Sequence, residues 1–93
     1  MNRLVLAAQV VERGAVRYTP AGLPAFDLSL KHESQVSESG QVRRVSLEIR
    51  AVAIGDITRR LQALPIGSTG TFAGFLSAMR SGRGTLFHVT EFE

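Results

Sequence analysis

At 93 residues the chain has room for one hydrophobic core and, by length, one domain over 1–93. It contains no cysteine, which excludes disulfide stapling and thiolate metal sites, and no apolar run approaches the roughly 18 residues a membrane-spanning helix needs. Eleven basic residues against eight acidic ones give a net charge of +3, and ten of the eleven are arginine, whose planar fork suits phosphate oxygens and stacks on bases.

The stretch from Leu4 to Val11 is too short for a signal-peptide core with its flanks, and no small-residue cleavage site follows it, so the cytoplasm is the expected compartment. The first predicted strand runs from Arg3 to Arg13. Its apolar residues occupy both parities, with Leu4, Leu6, Ala8 and Val10 on one and Val5, Ala7 and Val11 on the other. A strand apolar on both faces is buried on both, which predicts a barrel interior on one side and a partner chain on the other. Dimerisation would also add buried surface to a domain that is small for a single core.

Gly14 allows a bend or bulge, and Ala15 to Thr19 continue as an extended arm. The segment Pro20-Ala21-Gly22-Leu23-Pro24 is a strong turn signal. A second strand, Ala25 to Glu33, alternates cleanly: Phe26, Leu28, Leu30 and His32 share one face, Asp27, Ser29, Lys31 and Glu33 the other. The polar run Ser34 to Gln41 predicts a long hairpin loop. A third strand follows over Val42 to Ile54, with Val45, Leu47, Ile49, Ala51 and Ala53 expected inward and Arg44, Ser46, Glu48 and Arg50 outward.

Gly55-Asp56 opens a short helix with Asp56 as the expected N-cap. Ile57, Leu61 and Leu64 repeat on one helix face and Pro65 ends it. Strand four covers Thr69 to Met79, with Gly74 expected at a sharp bend or close backbone approach, and strand five covers Thr85 to Phe92. The glycine-punctuated basic turn Arg80-Ser81-Gly82-Arg83-Gly84 joins them. Five strands with a helix between the third and fourth predict an all-β fold, a five-stranded OB-fold Greek-key barrel.

Nothing in the chain is patterned for catalysis or for a cofactor. His32 and His88 both lie inside predicted strands, outside any metal-ligand spacing. There is no G-x-S-x-G elbow, and the Gly-Arg-Gly segment lacks the G-K-[ST] ending of a phosphate loop. Binding fits better. In an OB fold the face of strands two and three, with the loops joining strands one to two and four to five, forms the nucleic-acid groove. Arg17, Lys31, Arg43, Arg44, Arg50, Arg80 and Arg83 fall on those elements, where they would follow phosphates. Arg59 and Arg60 lie on the polar side of the helix as plain surface. Phe26, Phe72 and Phe75 are read as core and Phe92 as packed, which leaves Tyr18 and Phe87 as stacking candidates. So few rings predict binding that is mainly electrostatic and strongly salt-dependent.

The opening Asn2-Arg3-Leu4-Val5-Leu6, the turn Thr19-Pro20-Ala21-Gly22-Leu23-Pro24 and the run Gly67-Ser68-Thr69-Gly70-Thr71-Phe72-Ala73-Gly74-Phe75-Leu76 resemble the primosomal replication protein N (PriB) family. The likeness extends over nearly the whole chain. It implies an OB-fold homodimer without catalysis or cofactor that binds single-stranded DNA at stalled forks, steadies the restart helicase PriA and helps recruit the helicase-loading partner DnaT. It also implies that Arg17, Arg43 and Arg80 stand where members place basic DNA contacts, with Arg83 beside another. Where members carry a stacking tryptophan on strand three this chain has Ser46, a loop phenylalanine is replaced by Gln41, and Glu33 stands at a position basic in some members. Weaker DNA binding, or a different contact path, is the expectation. Two other readings are a general single-strand-binding protein, whose long acid-ended tail is not expected beyond Glu93, and a protein-interaction adaptor with weak DNA binding.

Overall fold

The computed structural model describes residues 1–93. Five strands, β1 (Leu4–Tyr18), β2 (Pro24–Glu38), β3 (Gln41–Ile54), β4 (Thr69–Ala78) and β5 (Thr85–Phe92), close into a barrel in the order β1-β2-β3-β5-β4, and the helix α1 (Ile57–Gln62) lies between β3 and β4. That is the OB arrangement. Closure comes from a short parallel ladder in which Arg50, Ala51 and Val52 of β3 meet Leu86, Phe87 and His88 of β5.

One strand serves two partners. Residues Leu4 to Gln9 of β1 pair with β4, while Gln9 to Tyr18 pair with β2. Turning from one sheet to the other requires curvature, and register shifts between Val10 and Glu12 and between Arg13 and Val16 supply it. Gly14 lies within the second shift, as expected of it. Gly74 sits at another irregularity, on β4, where an added Cβ would fall on the His88 carbonyl oxygen. Only glycine lets β5 approach so closely.

The interior is filled by one parity of each strand: Ala8 and Val10, then Phe26, Leu28 and Leu30, then Ala51 and Ala53, Phe72, and finally Phe87 and Val89, with Leu61 of α1 closing one end. Arg13 fastens that plug. Its Nη2 donates to the Gln62 carbonyl at 2.6 Å, satisfying a carbonyl left free at the helix C-terminus, while its guanidinium lies 5.4 Å from the Phe26 ring centre. Asp56 occupies the N-cap position but is helical in φ and ψ and makes no side-chain cap bond; the Thr58 hydroxyl donates to the Gly55 carbonyl instead.

Two expectations about β2 and β3 are corrected. The segment 34–41 is not a long loop: β2 and β3 stay in register from Ala25↔Ile54 to Glu38↔Gln41, and only Ser39 and Gly40 turn the chain, with φ of +50° and +75°. Positive φ at both central residues is the twist that a two-residue hairpin needs. Because β1 leaves β2 after Lys31, the outer half of this hairpin projects from the barrel, and Leu47, expected inward, is exposed there. The second apolar face of β1 is not covered within one protomer, where Val5 is 55 % exposed. No helix is long and apolar enough to cross a membrane.

Candidate nucleic-acid interface

With the inward parity of β2 and β3 given to the core, the alternate residues must face out. Cross-strand register sets them in rows: Asp27 beside Val52, Ser29 beside Arg50, Lys31 beside Glu48, Glu33 beside Ser46 and Gln35 beside Arg44. The face is therefore mixed in sign rather than uniformly basic. Several candidate cations are already engaged. Arg17, near the end of β1, holds Asp27 through Nε–Oδ2 at 3.0 Å and Nη2–Oδ1 at 3.2 Å. The hydrogen bond to Asp27 first, and its charge second, push the Arg17 guanidinium above its already high pKa. Lys31 Nζ lies 3.4 Å from Glu33 Oε1, and Arg43 Nε donates to Glu38 Oε1.

Arg43 and Arg44 are neighbours in a strand and so point to opposite faces. Arg44 shares the outward face with Arg50, whereas Arg43 stands opposite Val36 on the inner side of the projecting hairpin. Arg44, Arg50, Arg80 and Arg83 have no carboxylate within 4.0 Å. Of the seven candidate cations on the groove elements, these four are the ones left to meet an anion.

Arg80 and Arg83 are carried on a turn that is ordered by its own backbone. Met79 N donates to the Gly84 carbonyl at 3.2 Å and Gly82 N to the Met79 carbonyl at 2.8 Å, while the Ser81 hydroxyl accepts from Arg83 N. Gly82 and Gly84, at φ of +77° and +82°, take backbone conformations that other residues resist. Three residues beyond Arg83 the chain reaches Leu86, whose register partner on β3 is Arg50. The turn thus leads directly onto the outward face of β3.

The aromatic residues fall differently from expectation. Phe87, expected to stack on bases, is 0 % exposed and belongs to the core, because β5 places it on the parity that faces inward with Val89. Tyr18 is 71 % exposed at the end of β1, opposite Pro24 and beside the Thr19–Leu23 turn. Phe75, read as core, is 40 % exposed and stacks on His88 across the β4–β5 ladder. The parity that buries Phe72 sends Phe75 outward. Arg60 is occupied structurally, donating to the Phe92 carbonyl at 2.8 Å.

Both histidines are tied into strands. His32 Nδ1 donates to the Ala7 carbonyl at 2.6 Å and its Nε2 meets the Ser34 hydroxyl, while His88 Nε2 shares a 2.9 Å hydrogen bond with the Ser77 hydroxyl. No three acidic or imidazole side chains cluster closely enough to hold a metal ion.

Comparison with known proteins gives one consistent result. Residues 2–91 match a family described as another single-strand binding protein family. The replication restart protein PriB of Bordetella pertussis is 52 % identical over 80 residues, covering 86 % of this chain and 75 % of that protein. That of Neisseria gonorrhoeae is 42 % identical over 76 residues, covering 82 % and 75 %. Among solved structures, PriB from Ralstonia solanacearum superposes with a TM-score of 0.91 at 34 % identity over 100 % of this chain and 96 % of its own. The single-stranded DNA binding protein from Thermus aquaticus superposes at 0.76 and 25 % identity, over 100 % of this chain and 49 % of its own.

Proposed function

Because this chain belongs to the PriB family within the single-strand-binding proteins, we propose that it is a non-catalytic protein that holds single-stranded DNA during replication restart. The observation that carries this reading is the set of four unpaired arginines, Arg44, Arg50, Arg80 and Arg83, running from the β4–β5 turn onto the outward face of β3. Single-strand binders combine a cationic track with rings on which bases stack. Here the track is short and carboxylates lie beside it, so the binding is modest and salt-sensitive. Arg17, Lys31 and Arg43 contribute only after their carboxylate partners are displaced, whereas Tyr18 is open for stacking.

Within restart, the role we assign is to steady the helicase PriA on DNA and to help bring in DnaT. The open outward face of β1, where Val5 is 55 % exposed, supports a homodimer, which would double the DNA-binding surface. The test is equilibrium binding of a labelled single-stranded oligonucleotide and its duplex at equal length and low salt. Preference for the single strand is expected, and equal or no binding would contradict the reading. A second reading, a protein-interaction adaptor, draws on the apolar inner side of the projecting hairpin, where Val36 and Leu47 are exposed. It gains if both oligonucleotides fail to bind while PriA is still retained.

A further inference from the structure

We propose that Phe75 and His88 form a ready-made stacking platform for an unpaired nucleobase, a site that takes the place of rings absent from β3. The inference rests on the single-strand reading above and adds a named contact to it. Phe75 lies on β4 with its ring outward, on the parity opposite the core residue Phe72, so packing of the interior does not account for it. Its ring and that of His88 are nearly parallel, with an interplanar angle of 10° and centroids 4.5 Å apart. His88 is itself fixed by the 2.9 Å hydrogen bond to Ser77, its neighbour on the same outward surface. Two flat π-systems are therefore held in place before any ligand arrives, and little side-chain freedom is lost on binding.

The position matches the cationic track. From the Phe75↔His88 pair the ladder continues through Ser77↔Leu86 and Ala78↔Thr85 to the turn bearing Arg80 and Arg83. On the other edge of β5, His88 is in register with Val52 and Leu86 with Arg50. Arg80 lies five positions beyond Phe75, past the end of β4 at Ala78, so at roughly 3.3 Å per extended residue the two are at most about 17 Å apart along the chain. A strand whose phosphates rest on Arg80, Arg83 and Arg50 thus has an exposed ring pair on the same surface for one of its bases. Stacking of this kind tolerates any base, since each has a π-face. A protein partner would find apolar surface here too, but the neighbouring unpaired arginines favour a ligand that offers both a ring and phosphates.

The test compares wild type, Phe75→Leu and Phe75→Trp in binding oligo(dT) and an abasic deoxyribose-phosphate oligomer of the same length. Leucine keeps the apolar bulk and removes the ring face, and a thermal melt of each variant confirms that the barrel is intact. The expected result is a loss of roughly five- to hundredfold for oligo(dT) with Phe75→Leu, restored by Phe75→Trp, with the abasic oligomer unaffected. Unchanged binding of oligo(dT) by Phe75→Leu overturns the platform and assigns the face to another partner, while leaving the single-strand reading standing. Equal losses for both oligomers overturn it as well, because they report a general disturbance. Failure of the wild type to bind either oligomer at low salt overturns the single-strand reading and the platform with it.

Discussion

The Arg17 guanidinium grips the Asp27 carboxylate through two hydrogen bonds, at 3.0 and 3.2 Å, across the bulged β1–β2 ladder. If the proposed groove holds DNA, this pair neutralises a cation at its rim and sets a carboxylate close to the path of the phosphates. Replacing Asp27 by Asn should strengthen oligonucleotide binding severalfold at low salt. The gain should fade as salt rises, because exposed charges are screened beyond about 8–10 Å at physiological ionic strength. Stability should change by no more than about 1 kcal/mol, since both side chains are largely exposed. Titration at two salt concentrations, with urea denaturation alongside, checks both halves.

Phe87 separates a core role from a binding role. Its truncation to Ala should cost about 3–5 kcal/mol, as for other fully buried aromatic residues. Phe87→Leu should fold and bind oligonucleotide as the wild type does. A folded Phe87→Leu protein with weakened DNA binding would return this residue to the interface.

Gly74 should be intolerant of any side chain. A Cβ there meets backbone of β5 rather than a movable side chain, so Gly74→Ala should destabilise the barrel by about 3 kcal/mol or more. Gly14→Ala is the control: its Cβ would have 3.4 Å to the nearest atoms of Asp27 and no positive φ to oppose it. Chemical denaturation of the two variants should place them at opposite ends of the range.

Ser46 stands exposed on the outward face of β3, one position along that face from Arg44. A ring introduced there, as Ser46→Trp, should raise single-strand affinity by about 1–3 kcal/mol, the worth of one stacked base. Quenching of the tryptophan fluorescence on titration would report the contact directly.

The barrel was legible because most of its strands carry a period of two with one buried parity. In β2, Phe26, Leu28 and Leu30 turn inward as that period dictates. The projecting hairpin was not legible, since both its faces meet solvent and no alternation is imposed on Gln35 to Arg44; only Ser39-Gly40 marked the turn. Phe75 was hidden by apolar neighbours of both parities beside the irregularity at Gly74. The split of Arg43 from Arg44 follows from strand geometry alone. The Arg17–Asp27 pair does not, because it depends on two register shifts in β1 that no local pattern discloses.

The most direct test is the slope of log K against log salt for a single-stranded oligonucleotide, measured for the wild type and for Arg80→Ala/Arg83→Ala. Each phosphate neutralised on a single strand contributes roughly −0.7. Four unpaired arginines predict a wild-type slope of about −2 to −3, reduced in magnitude by about 1.4 in the double variant. A slope near zero, or one that the double variant leaves unchanged, would contradict the arginine track on which the functional account rests.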